Sequence, residues 1–239
     1  MSTATRLPVP QGTRRAPRPS TFACKLTMAV TGALFAVFVL AHMVGNLKAY
    51  FGAEDFNAYA HWLRTAFHPV LPYEGLLWIL RVVLLVALVA HVACATILWL
   101  RGRRHRGPHR RRGHGGWFGA RSMMLTGVLL LVFIVFHLLD LTIGTAGASS
   151  FQPATRTESF AHQNLVASFQ RPWSGGAYLA AMVALGVHLA HGIWTIATDL
   201  GVTGRRVRHW WRLIGYVIAL LVVIGNASLP IAVWTGVLG

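Results

Sequence analysis

Two stretches, Met28–His42 (MAVTGALFAVFVLAH) and Met123–His137 (MMLTGVLLLVFIVFH), decide how this chain is read. Superposed without a gap, 95 residues apart, they share Met, Thr-Gly, Leu, Val-Phe and a closing His. A second overlay, 97 residues apart, sets Val86–Ala93 (VALVAHVA) on Val183–Ala190 (VALGVHLA) and matches Val-Ala-Leu, His and Ala. Apolar helices match one another easily through Leu, Val and Ala, so the weight of the comparison rests on the Thr-Gly and His positions. The chain reads as two related pairs of helices, and internal repeats in membrane proteins commonly place sites between the repeated units.

The rest of the chain supplies the setting. Of its 239 residues, 55% are hydrophobic and only 12% are charged, a balance typical of a polytopic membrane protein. A hydrocarbon core about 30 Å thick needs about 20 apolar helical residues, and five stretches meet that length. They run over 25–46, 76–100, 121–144, 174–199 and 213–236. The pattern predicts an all-α fold of five transmembrane helices, four of them forming a bundle that carries the histidines. The connections 47–75 and 145–173 read as too short and too poor in core residues for a soluble domain, which assigns chemistry on a water-soluble substrate to another chain.

The formal charge of +16 falls in bands. Arg6, Arg14, Arg15, Arg18 and Lys25 stand at the first span, Arg101, Arg103, Arg104, Arg106, Arg110, Arg111, Arg112 and Arg121 in the second connection, and Arg205, Arg206, Arg208 and Arg212 in the fourth. On the other side Lys48, Arg64, Arg156 and Arg171 are balanced by Glu54, Asp55, Glu74 and Glu158. Positive-inside bias puts the N-terminus in the cytoplasm and Gly239 outside, in a multi-pass protein of the cell inner (cytoplasmic) membrane. The tract Arg101–Arg112 reads as a topology signal that meets anionic membrane lipid, or as a docking face for a soluble subunit, ahead of nucleic-acid binding. Residues 1–21, rich in Pro and Arg and without a secretory signal, are expected to be a disordered arm before a transmembrane domain over 22–239. Cys24 and Cys94 are too few for a disulfide framework.

Depth sorts the histidines, at 1.5 Å of rise per helical residue from the basic end of each span. His42 lies 17 residues past Lys25 and His137 lies 16 past Arg121, both roughly 25 Å deep. His91 and His188 lie 10 and 11 residues from the basic ends of their spans, roughly 15 to 17 Å deep. An imidazole inside lipid must face the bundle interior or a polar cavity. A single one is more simply an interhelical hydrogen bond. Four at two matched depths favour metal ligation, because two neutral imidazoles can take both axial positions of a haem iron. The expectation is two bis-His haems, on His42 with His137 and on His91 with His188, a ligation that suits electron transfer better than oxygen chemistry.

Other residues near these levels carry open readings. Gly32, Gly127, Gly186 and Gly192 admit a macrocycle close to the backbone or serve helix packing. His191, roughly 12 Å deep, competes with His188 as partner of His91. The overlay sets His188 on His91 and His191 on Cys94, which assigns ligation to His188 and leaves His191 for a propionate or a quinone pocket. Arg81, about five residues inside the far end of its span, must snorkel or meet an anion such as a propionate or a quinone carbonyl. Asp140 is a partner for Arg81, a group for quinone protonation, or an interhelical polar bond.

Lys25, Met28, Gly32, Phe38, His42 and Gly45-Asn46-Leu47, followed by Phe56-Asn57-Ala58-Tyr59, form one block of a family pattern. His188, Gly192 and Trp194 form another, His-x-x-x-Gly-x-aromatic. Over most of residues 22–237 the chain resembles the single-chain, five-helix cytochrome b subunits of succinate dehydrogenases and fumarate reductases. That resemblance implies two haems b, a distal one on His42 and His137 and a proximal one, nearer the cytoplasm, on His91 and His188. It further implies a flavoprotein subunit with FAD, an iron-sulfur subunit docked on the basic inner surface, and exchange of electrons with quinone, often menaquinone, toward the outer side. No acidic residue matches the glutamate that some fumarate reductases use for quinol chemistry.

Three other readings fit the same residues. One is the cytochrome b partner of a hydrogenase or formate dehydrogenase. Another is an anchor with a Rieske-like iron-sulfur centre on Cys24, Cys94 and two inner histidines, made awkward by a depth difference of roughly 10 to 15 Å between the cysteines. The last is a transporter or scaffold that uses histidines for protons or packing.

Overall fold

The computed structural model describes residues 19–105, 117–202 and 204–239, with the backbone alone over 117–121. Of the expected arm over 1–21, only the last three residues lie among them, and Arg106, Arg110, Arg111 and Arg112 of the basic tract lie outside. No strand occurs among the described residues.

Helix α1 (Thr21–Asn46) is opened by Ser20, whose Oγ accepts a hydrogen bond from the Ala23 amide at 3.0 Å, an N-cap that satisfies one of the donors a helix start leaves free. A 3-10 turn over Leu47–Phe51 follows and stops at Gly52, where φ of 101° favours glycine. Next come α2 (Ala53–Thr65), with Glu54 and Asp55 in its first turn, and α3 (Gly75–Arg104). Helix α4 (Trp117–His137) runs directly into a wider π-helical turn, Leu138–Ile143. The chain ends with α5 (Ala161–Phe169), α6 (Pro172–Asp199) and α7 (Arg205–Trp234).

Five of these helices, α1, α3, α4, α6 and α7, are long and apolar enough to cross a membrane. Their many β-branched residues do not prevent helix formation, because lipid offers the backbone no partner and the helix alone satisfies every amide within the segment. The spans run longer than the apolar stretches, since α3 reaches Arg104 and α7 starts at Arg205. Arginine stems can lie along a helix while their heads reach water. These ends gather on one face, where Lys25 Nζ bonds Asp199 Oδ1 at 2.8 Å and Arg101 Nη1 bonds Thr21 Oγ1 at 3.1 Å. We call it the basic face and its opposite the far face.

Helix α1 packs on α3 and α6, α4 on α6, and α6 most extensively on α7. Ala36, Leu189, Ile193, Ala219 and Val222 form the core between α1, α6 and α7. A second core at the far face joins Ala49, Phe56, Leu165, Val166 and Phe169 to Tyr178 and Leu229. The connections are therefore not poor in core residues, which corrects the reading from sequence. Helices α2 and α5 are too short and too polar to register as spans, yet their apolar sides cap the bundle. Val82, Val83, Leu85, Val86 and Val89 of α3 stay exposed, as expected where lipid is the solvent.

Close approach of α7 to α6 depends on Gly215. A Cβ there would stand 3.0 Å from the Ala190 carbonyl oxygen and 3.5 Å from the Ile193 side chain. Gly215→Leu is expected to cost about 1–3 kcal/mol through overpacking, read as a lower unfolding midpoint in detergent. Gly176→Ala, which meets open space, should leave the midpoint unchanged or raise it.

Candidate functional site

At the far level, His42 of α1 and His137, the last residue of α4, bring their ring centroids to 5.9 Å with the planes at 82°. The repeat extends to the surface each ring rests on. Phe38 stacks on His42 at 5.5 Å, and its repeat equivalent Phe133 stacks on His137 at 5.8 Å.

At the level nearer the basic face, His91 of α3 and His188 of α6 are electrostatic neighbours, and each is held by a threonine from the preceding span. Thr31 Oγ1 lies 2.9 Å from His91 Nδ1, and Thr126 Oγ1 lies 3.1 Å from His188 Nδ1. Each hydroxyl donates its single hydrogen to the carbonyl four residues back, Thr27 or Ser122, at 2.7 Å. Its oxygen must then act as acceptor toward the ring. That assigns the hydrogen of each imidazole to Nδ1 and leaves Nε2 as the nitrogen with a free lone pair, the tautomer a metal ligand needs. The glycines that follow give the rings room, since a Cβ on Gly32 would come within 3.7 Å of His91 Cε1 and one on Gly127 within 3.6 Å of His188 Cε1. Sequence reasoning missed Thr31 and Thr126 as ring holders. The signal was present in the repeated Thr-Gly, but the partner of a threonine on another helix cannot be read from the repeat alone.

Among the described residues neither α1 with α4 nor α3 with α6 is an extensively packed helix pair. His42 also keeps accessible surface although protein surrounds it. A macrocycle would meet that ring through its Nε2 edge, since Phe38 stacks on its face. The donor set fits the same group: two imidazoles per level suffice when a macrocycle supplies the remaining ligands. Among the described residues no three His, Cys, Asp or Glu side chains converge as a metal site, and a Rieske-type centre needs four. The cysteines themselves depart from expectation. The Cys94 and Cys24 thiols are electrostatic neighbours, because α1 and α3 pack side by side.

His191 neighbours His188 and sets its ring 5.9 Å from that of Trp194, whose Nε1 is buried without a hydrogen-bond partner. Arg81 finds its anion within the chain, bonding Glu74 Oε2 at 3.2 Å and lying over the Trp78 ring at 4.9 Å. Asp140 does not pair with Arg81. It is fully buried and takes an ion pair from Arg171, with Ser168 Oγ donating to its Oδ2 at 2.5 Å. Arg171 comes from the connection just before α6, which the π-helical turn bearing Asp140 faces. At the far face a cleft of about 510 Å³ lies between α2 and α5, with Glu54, His61, Glu158 and Ser159 among its lining residues. His61 Nδ1 and Ser159 Oγ are buried there without partners.

Fold and side chains together define a class, an all-helical membrane subunit with imidazoles paired across the interior of its bundle. Residues 101–226, over half of the chain, match the family model for the succinate dehydrogenase/fumarate reductase transmembrane subunit, and the chain belongs to that family. It is similar to the succinate dehydrogenase cytochrome b558 subunit of Bacillus subtilis (strain 168), with 23% identity over 167 residues, covering 70% of this chain and 73% of the relative. No solved structure matches the chain.

The threonine contacts generate a prediction. Thr31→Val and Thr126→Val each remove the acceptor at Nδ1 and should each weaken retention of one and the same haem by about 10–100-fold. Haem content after extended washing of the purified protein measures it.

Proposed function

We propose that this chain is the membrane-anchor cytochrome b subunit of respiratory complex II, a succinate:quinone oxidoreductase, and that it carries electrons between an iron-sulfur subunit and membrane quinone through two bis-His haems b. The observation that supports it most directly is the matched pair of threonine-held imidazoles, each keeping Nε2 free at a depth where lipid leaves a ring nitrogen no other partner. His42 and His137 would hold one haem and His91 and His188 the other, with His191 and Arg81 as further cofactor-binding candidates. Haem, when bound, supplies one-electron redox chemistry. The residues of this chain fix the rings, exclude water and set the two levels one behind the other.

The dicarboxylate chemistry belongs to partners, a flavoprotein subunit with FAD and the iron-sulfur subunit. The basic face, toward the cytoplasm of the cell inner membrane by the positive-inside rule, suits the docking of these subunits. Quinone, with menaquinone favoured by the family resemblance, would exchange electrons toward the far face. The cleft with unpartnered His61 Nδ1 and Ser159 Oγ offers hydrogen-bonding groups to quinone oxygens. Family membership favours this reading over a hydrogenase or formate dehydrogenase partner.

Purification of the tagged chain from its native membrane should bring down a flavoprotein and an iron-sulfur protein, and the complex should show a b-type spectrum and succinate-dependent quinone reduction. Co-purification with a nickel or molybdenum enzyme would overturn the reading. His42→Ala and His137→Ala should each remove one haem, the same one, while His91→Ala and His188→Ala remove the other. Haem counting with redox titration checks this, and retention of both haems in His188→Ala moves the ligand to His191.

A further inference from the structure

The repeat breaks at one place that matters for the far level. The overlay that sets Val86 on Val183 sets Arg81 on Tyr178, and the one that sets His42 on His137 sets Gly45 on Asp140. In the first half, therefore, a phenol is replaced by a guanidinium and a carboxylate by a hydrogen atom. Arg81 turns to Glu74 and Trp78, and the space beside Gly45 is filled by Tyr59, whose Oη would stand 2.8 Å from a Cβ added there. Among the described residues His42 makes ring contacts with Phe38 and His137 and no hydrogen bond.

The second half is built differently. Tyr178 Oη lies 3.2 Å from His137 Nδ1 and donates its own hydrogen to Asp140 Oδ2 at 3.1 Å. The carboxylate is fixed by Arg171 and Ser168, with Ser174 Oγ at 3.4 Å, and Arg171 is itself anchored on the Ala146 carbonyl at 3.0 Å. Phe133, Phe136 and Phe169 surround the Tyr178 ring with centroids at 5.0, 5.8 and 4.9 Å. The phenol is 7% exposed and the carboxylate 1%, so neither swings to another partner. The π-helical turn follows His137 directly and carries Asp140, and such single turns often occur at functional positions.

We propose that Tyr178, backed by Asp140, is the positioning residue of the far level: its oxygen takes the Nδ1 hydrogen of His137 and holds the ring with Nε2 directed at the site shared with His42. This rests on the two-haem reading above. The chain then holds its four rings by three means, neutral threonines at one level, a carboxylate-backed phenol on His137, and aromatic stacking alone on His42. A carboxylate behind the phenol makes Tyr178 a stronger acceptor, which raises the basicity of the ligand and favours the oxidised iron.

The decisive variant is Tyr178→Phe in the purified multisubunit complex. It removes one oxygen and leaves the Asp140–Arg171 pair and the aromatic packing in place. The expected result is that the complex as purified still contains both haems, one of them now lost more readily on extended washing as in the threonine variants, with an upward shift in the midpoint potential of that haem and a changed low-spin paramagnetic resonance signal for it alone. The affected haem must be the one lost in His137→Ala. Asp140→Asn, if it assembles, should shift the same haem in the same direction. Wild-type potentials and signals for both haems in Tyr178→Phe would overturn the proposal, as would a shift confined to the haem lost in His91→Ala. If His42→Ala and His137→Ala fail to remove a common haem, it is the underlying two-haem reading that falls.

Discussion

An imidazole in hydrocarbon has two nitrogens and no water, and the rest of the interior follows from how those nitrogens are used. One nitrogen of His91, His188 and His137 is taken by a hydroxyl whose own hydrogen is already committed, to a backbone carbonyl or to a carboxylate. The other nitrogen is left as a directed lone pair. A polar group left unpaired in such surroundings costs several kcal/mol, so a bundle that carries this arrangement three times over, beside a fourth ring held by stacking, is organised around something that uses it. The glycines beside the inner rings serve the same end.

Much of this was legible in the chain itself. Span count followed from apolar length, and the placement of His42 with His137 and of His91 with His188 followed from counting residues at a fixed rise. What escaped was of two kinds. Helices α2 and α5 are short and mixed in polarity, so neither hydropathy nor length marks them, and their apolar sides acquire meaning only against the end of the bundle. Lateral partners escaped as well. Depth sets Asp140 near Arg81, but Asp140 bonds Arg171 because the π-helical turn directs it toward the start of α6, and rotation about a helix axis is not contained in depth. Cys24 and Cys94 illustrate the converse, since a difference in depth along two helices did not keep their thiols apart once side-chain reach and helix packing were included.

The two halves of the repeat have kept their frame and changed their fittings. Phe38 and Phe133, Thr31 and Thr126, and Gly32 and Gly127 still do matching work against matching rings. Arg81 and Tyr178 no longer do. Divergence at that pair of positions distinguishes two otherwise equivalent rings at one level, whereas the rings of the other level keep equivalent holders. A pseudosymmetric scaffold can in this way offer unlike surroundings to like ligands without altering its helices.

Helices α3 and α4 share almost no packing among the described residues, and each reaches the remainder of the bundle chiefly through a single transmembrane neighbour, α1 for the one and α6 for the other. Both are also less buried than the other spans. The two stand as outer leaves on a common spine of α1, α6 and α7. On the two-haem reading, each macrocycle would tie one of these outer helices to the spine, much as a metal ties together the parts of a small metalloprotein.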